Sequence, residues 1–262
     1  MRYAKKSLGQ NYLTDLNIVK KIISLTKICN KNILEIGPGK GALTDEILKY
    51  KPKSLILIEK DDNLSKELRS KYANNKKITI YNKDILKFDF EKKIKENSII
   101  FGNLPYNISS QILVKIIKFK KWPPKYSDII FMFQKELAER VVGKLHTSKY
   151  GRLSILTNYR LRTLGKFNVS PNCFFPKPKV DSTVIYFKPN KKILRRIKNI
   201  ENLEKITHVL FSNKRKMINK AIYKLFKNPK ILSQKLNIDL SLRPDQLSEK
   251  DFYRIVEFYE KI

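Results

Sequence analysis

Ile33-Leu34-Glu35-Ile36-Gly37-Pro38-Gly39-Lys40-Gly41 decides how this chain folds. The first four residues read as a short buried strand, and the rest as a glycine loop that opens a helix from Ala42 to Lys49. Glycines at a strand-to-helix turn let the backbone bend tightly and approach a ligand beside a helix N-terminus. The loop departs from the dinucleotide fingerprint G-x-G-x-x-G, because its third glycine comes one residue early. With the acid Glu35 ahead of it, that points to a nucleoside ligand without a pyrophosphate.

Working outward, strands and helices alternate. Ser54 to Glu59 (SLILIE), Ile78 to Asn82, Ser98 to Gly102 and Asp128 to Phe133 (DIIFMF) are apolar runs of strand length. Helical patterns cover Asp61 to Tyr72, Ser109 to Lys118, Gln134 to Val142 and Leu153 to Leu161. Helices between short apolar strands require parallel crossovers, hence an α/β, doubly wound, mostly parallel sheet with both faces covered. Gly165–Val169 and Thr183–Lys188, separated by Ser170-Pro171 and Pro176-Lys177-Pro178, predict an antiparallel pair at the sheet edge. After Pro189-Asn190 only helices follow. The expected division is a catalytic domain over 1–189 and a small all-α domain over 190–262.

With Glu35, two further acids on successive strand ends make three in register, and they reinforce the glycine loop. Glu59 ends the second strand about 20 residues beyond it, where a carboxylate can accept from both hydroxyls of a ribose. Asp84, just past the third strand, is placed to accept from an adenine amino group, with Ile85 packing on the ring. Open parallel sheets bind ligands at these strand ends. At the end of the fourth strand, Asn103-Leu104-Pro105-Tyr106 combines a neutral amide, a proline-fixed turn and an aromatic ring. Such a set can hold a planar base face-on.

The chain of 262 residues carries a formal charge of +32. A field of that size attracts polyanions and makes association salt-dependent. Codon bias of an AT-rich genome accounts for part of the lysine content, but it would spread lysine evenly, and the excess is clustered. Residues 191–227 hold twelve Lys or Arg against two Glu, whereas 228–262 hold six basic residues against six acidic. That clustering points to a nucleic-acid face. No apolar run approaches the roughly 20 residues of a membrane span, and the basic N-terminus does not lead into an apolar signal segment. A soluble, cytoplasmic chain is expected. Cys29 and Cys173, like His146 and His208, are isolated, so neither a disulfide framework nor a metal site is expected.

These residues converge on a family. Over nearly its whole length the chain resembles the small-subunit ribosomal RNA adenine dimethyltransferases, the bacterial KsgA-like group. The match runs through Lys6-Ser7-Leu8-Gly9-Gln10-Asn11-Tyr12-Leu13, Glu35–Gly41, Glu59, Asp84, Asn103–Tyr106, Gln134-Lys135-Glu136 and Tyr150-Gly151-Arg152-Leu153-Ser154. It ends with Phe174-Phe175-Pro176-Lys177-Pro178-Lys179-Val180-Asp181-Ser182. Tyr12 stands where phenylalanine is usual in the family, and Leu8 where phenylalanine or another bulky residue occurs. The resemblance implies a class I, Rossmann-like methyltransferase that uses S-adenosylmethionine. Its substrate would be two adjacent adenosines in the hairpin near the 3′ end of small-subunit (16S) rRNA, in the 30S subunit or its assembly intermediate, so that the enzyme serves ribosome biogenesis. A monomer is expected. The resemblance also implies that Asn11, Leu13, Gly37, Glu59, Asp84 and Asn103 touch the cofactor; Gly39 and Ile85 join them from the loop and ring arguments above.

In that chemistry the Asn103 side-chain carbonyl and the Leu104 backbone carbonyl, held by Pro105, would accept from the adenine amine. Tyr106 would stack on one face of the extruded base, with Phe174 or Phe175, Phe174 by preference, on another. For RNA docking, a helix capped by Ser212 or Asn213 is predicted to run to about Phe226. Its buried face would carry Met217, Ile218, Ala221, Ile222, Leu225 and Phe226. Lys216, Lys220, Lys224 and Lys227 would line the opposite side, and Lys214-Arg215-Lys216 matches a basic triplet of the family. Two rivals share parts of this pattern. One is an Erm-type methyltransferase acting on large-subunit rRNA, against which Leu104 and Val180-Asp181-Ser182 argue. The other is a non-catalytic RNA-binding protein on the same fold, against which the intact Asn103–Tyr106 and the acids argue.

Overall fold

A computed structural model describes residues 9–191, 193 and 197–262. Lys6, Ser7 and Leu8 of the N-terminal motif, and Lys192, Arg195 and Arg196 of the basic cluster, lie outside the described residues. The chain divides into two compact units, the first from Met1–Ala138 with Arg162–Pro189, the second from Glu139–Leu161 with Asn190–Ile262.

The first unit is built on β2 (Asn32–Ile36), β3 (Ser54–Glu59), β4 (Ile78–Asn82), β5 (Ser98–Asn103), β6 (Tyr126–Gln134), β7 (Leu161–Val169) and β9 (Ser182–Pro189). Their order across the sheet is β4-β3-β2-β5-β6-β9-β7. From β4 to β6 every pairing is parallel, and β9 runs antiparallel to β6. The expected edge segments are therefore both strands, each longer than its apolar signal. Two-residue strands β1 (Tyr12–Leu13) and β8 (Phe174–Phe175) pair antiparallel as a separate ribbon.

Burial on both faces explains why β2, β3 and β5 read as continuous apolar runs. On one face, α1 (Leu16–Ile23) and α2 (Ala42–Lys49) bury Val19, Ile22, Ile23 and Ile47 with Ile33, Leu55, Leu57, Ile99 and Phe101. Asp15 starts α1 by accepting from the N–H groups of Asn17 and Ile18 at 2.8 and 3.1 Å. Helices α3 (Asp62–Lys71) and α4 (Ser109–Ile117) complete the crossovers, and α5 (Lys135–Val141) follows β6.

The second unit comprises α6 (Arg152–Arg160), α7 (Ile200–Phe211), α8 (Asn219–Leu225), α9 (Pro229–Leu236) and α10 (Glu249–Tyr259). Helix α6, expected within the catalytic domain, instead packs among the later helices. Asn158 donates to Glu249 at 2.6 Å, Tyr159 Oη accepts from the Ile197 N–H at 2.9 Å, and Tyr253 Oη donates to the Ile155 carbonyl at 3.1 Å. Phe211 stacks on Phe252, with ring centroids 5.5 Å apart.

The single helix expected from Ser212 or Asn213 to Phe226 is corrected. Ser212 terminates α7, and the next helix begins only at Asn219. Between them the Ile218 and Asn219 N–H groups donate to the carbonyls of Leu242 and Leu240, at 2.8 and 3.1 Å, so a helical ladder cannot continue through them. Ile218, Ile222 and Phe226 are buried as expected, and Ala221 and Leu225 partly so, but Met217 is 54% exposed.

Candidate active site

Four parallel strands end side by side, and their carboxyl ends build one cleft. Lining it are Asn11, Leu13, Gly37, Gly39, Glu59, Asp84, Ile85 and Asn103 through Tyr106, so these expected cofactor and base residues come together. The glycine loop crosses its floor. Gly39 has φ +58°, and a Cβ there would lie 3.0 Å from the Tyr12 ring, so only glycine fits beneath that aromatic.

Glu59 is 6% exposed. Its two oxygens accept from the Gly39 N–H at 3.1 Å and the Asp61 N–H at 2.9 Å. This ties the loop after β2 to the end of β3. Burial pushes the Glu59 carboxyl above its ordinary pKa, and these backbone donors pull it back. Each oxygen retains acceptor capacity for a further donor.

Asp84, after β4, is partly exposed. It accepts from the Leu86 N–H at 2.9 Å and pairs with Lys60 at 2.9 Å. The Lys60 ammonium holds this carboxyl below the usual range. Ile85 beside it is buried and apolar.

Asn103 ends β5. Its amide nitrogen donates to the Asn11 backbone carbonyl at 3.0 Å. A carbonyl only accepts, so the –NH₂ end must face Asn11, and the side-chain oxygen is turned the other way. Leu104 is buried behind it. The Pro105 carbonyl accepts from the Ile108 N–H at 3.1 Å, and the Tyr106 carbonyl accepts from Ser109 Oγ at 3.2 Å. Together these close the turn into α4.

Glu35, under the loop, is fully buried and accepts from Thr44 Oγ1 at 2.6 Å. Burial pushes its pKa up to about 7. It joins β2 to α2, a role that its position ahead of the loop does not disclose.

Phe174 does not join the cleft. It is 4% exposed, opposite Leu13 in the β1–β8 ribbon and within the core cluster, whereas Phe175 is 54% exposed. The preference for Phe174 as the second stacking ring is corrected accordingly: its ring is core. Gln10 and Tyr12 also line the cleft, although the sequence marks them only as parts of a longer motif. Tyr12 Oη donates to Gln10 at 2.7 Å, and Gln10 donates to Asp61 at 3.3 Å, which holds the N-terminal segment over the loop.

In the second unit, Arg215, Lys216, Lys220, Lys224 and Lys227 are exposed, with Tyr223 among them at 61%. Lys214 differs. Its ammonium donates to the Ser148 and Tyr150 carbonyls, both at 3.1 Å, a structural tie. Among the described residues there is no group of three or more His, Cys, Asp or Glu side chains able to hold a metal ion, and no helix is long and apolar enough to cross a membrane.

A family model described as ribosomal RNA adenine dimethylase matches residues 1–261. The ribosomal RNA small subunit methyltransferase A of Pelagibacter ubique is 44% identical over 260 residues, 99% of this chain and 98% of the relative. That of Colwellia psychrerythraea is 37% identical, over 97% of this chain and 84% of the relative. Among solved structures, a dimethyladenosine transferase from Plasmodium falciparum superposes with a TM-score of 0.77 at 27% identity, covering 95% of this chain and 97% of that one. The 23S rRNA methyltransferase ErmE gives 0.65 at 22% identity, covering 95% and 100%, and shares the fold. With the family model spanning the chain and full-length relatives at this identity, the protein belongs to the ribosomal RNA adenine dimethylase family.

Proposed function

We propose that this chain dimethylates the 6-amino groups of two adjacent adenosines in the 3′-terminal hairpin of small-subunit rRNA, with S-adenosylmethionine as methyl donor, during small-subunit assembly. The residues of the cleft suit that donor. Glu59 offers acceptors to two ribose hydroxyls, Asp84 one to an adenine amine, Ile85 an apolar wall, and the loop at Gly39 a close backbone approach. When bound, the sulfonium supplies a methyl group that is already strongly electrophilic, so neither a metal nor a strong base is required of the protein.

The obstacle lies with the nucleophile, whose lone pair is delocalised into the adenine ring. Asn103 Oδ1 and the Leu104 carbonyl can accept from the two amine hydrogens, favouring a pyramidal nitrogen with its lone pair directed into the cleft. Pro105 fixes the turn that holds both acceptors, and Tyr106 supplies the face on which the extruded base stacks. Most of the acceleration is then positioning, for which effective molarities are large, with a smaller share from the same dipoles. The observation that carries this reading is the Asn103–Asn11 hydrogen bond, which turns the amide oxygen away from Asn11.

The exposed lysines of the second unit are assigned to RNA docking. The names of the relatives support the small subunit over the large as the target. The test is methyl-label transfer from S-adenosylmethionine to small subunits purified from a strain without the dimethyladenosines, followed by mass spectrometry of the rRNA. Paired dimethyladenosines are expected. Label entering only large-subunit RNA would support an Erm-type activity, and no label with retained RNA binding would support a non-catalytic role.

A further inference from the structure

Ser182 closes the Phe174–Ser182 stretch, and nothing in the function above uses it. It is fully buried, and it begins β9 opposite Gln134 of β6. Beside it the Lys135 N–H donates to the Asp181 carbonyl at 2.9 Å. Its backbone is therefore set by the ladder of two strands. Its hydroxyl is 2.6 Å from the phenolic oxygen of Tyr106.

Tyr106 is thus held at two points. Its root is fixed by the turn that Ile108 and Ser109 close, and its tip by Ser182. A tyrosine side chain has two soft torsions, and anchoring both ends removes the freedom of each. An aromatic platform determines where a stacked base lies only if the ring itself does not swing. We propose that Ser182 is a positioning residue for methyl transfer: by pinning the Tyr106 hydroxyl to the β6–β9 ladder, it presents the ring at a fixed angle to the target adenine. The inference rests on the assignment of Tyr106 as the base platform.

A serine that only fills space would affect folding and would act the same whatever stands at position 106. A positioning serine acts through the Tyr106 hydroxyl alone. Methyl transfer to undermethylated small subunits is therefore measured for Ser182→Ala, Tyr106→Phe and the double variant, with kcat and KM separated and S-adenosylmethionine affinity measured by calorimetry. Each single variant is expected to lower kcat about 3- to 10-fold, the scale of one hydrogen bond. KM for subunits and cofactor affinity should hold, and the double variant should be no slower than the slower single. Wild-type kcat in Ser182→Ala, or losses that multiply in the double variant, would overturn the proposal. Should Ser182→Ala fail to fold, Tyr106→Phe breaks the same bond from the less buried side, and wild-type kcat there overturns it equally. Absence of transfer by the wild-type protein would overturn the functional assignment and this inference together.

Discussion

The side-chain amide of Asn103, at the end of β5, donates to the backbone carbonyl of Asn11 at 3.0 Å, across 92 residues of sequence. The bond couples the segment that lies over the glycine loop to the residue assigned to orient the substrate amine. Asn103→Ala should reduce kcat by about 100-fold or more, since acceptor and anchor vanish together. Cofactor affinity should fall far less. Asn103→Asp should be equally poor, because a carboxylate oxygen would then face the Asn11 carbonyl with no proton between them. Single-turnover rates beside calorimetry separate the two effects, and a wild-type rate in either variant would remove the orienting role.

Glu59 and Asp84 should separate in a second way. Both are assigned to the cofactor, and loss of either acceptor should weaken S-adenosylmethionine binding by roughly 1–3 kcal/mol. Glu59 also satisfies the Gly39 and Asp61 N–H groups in a buried setting, so Glu59→Ala should lower the melting temperature too. Asp84 is partly exposed, its partner Lys60 more so, and Asp84→Ala should leave stability within about 0.5 kcal/mol. Calorimetry and thermal melts on both variants check this. Unchanged affinity in both would mean that the nucleoside lies elsewhere.

Glu35 makes stability depend on pH. Its carboxyl is ordinary in the unfolded chain, near 4.5, and is pushed to about 7 by burial in the fold. Between those values the folded state holds a proton that the unfolded state has released, so stability falls as pH rises. The contribution is fully present below about pH 4.5 and gone once pH has passed about 7, with an upper bound of roughly 3 kcal/mol. Glu35→Gln should flatten this part of the stability–pH curve in urea melts. A curve of unchanged slope would show that Glu35 ionises as freely in the fold as outside it.

The convergence of the two acids on one cleft was readable because each closes an apolar run. Glu59 ends SLILIE and Asp84 follows ITIYN-Lys83, and parallel strands bring such ends together. What local pattern does not carry is where distant backbone donors go. Met217 to Phe226 keeps a helical spacing of apolar residues, yet the Ile218 N–H is committed to Leu242. Phe174 looks like a candidate platform until Leu13, far upstream, pairs with it. Helix α6 is periodic in either unit, and its allegiance is decided by Glu249, Ile197 and Tyr253. Helix α1 does carry a local signal: Asp15 caps it, and Val19, Ile22 and Ile23 recur at helical spacing.

The basic residues around α8 divide by what they touch, and that division gives the last prediction. Lys214 commits its ammonium to two backbone carbonyls of the second unit, so Lys214→Gln should lower stability and barely alter the salt dependence of RNA binding. Lys216, Lys220 and Lys224 are exposed, and the last two sit one turn apart on α8. If they meet phosphates, replacing all three with Gln should weaken binding to small subunits. The log–log dependence on salt should flatten by about 0.7–0.9 for each phosphate no longer neutralised. Melting temperature and S-adenosylmethionine affinity should stay as in the wild type. The measurement is subunit binding across a salt series for both variants. A triple variant with the wild-type slope would show that these lysines only solvate the helix, and the docking surface would then have to be sought on another face.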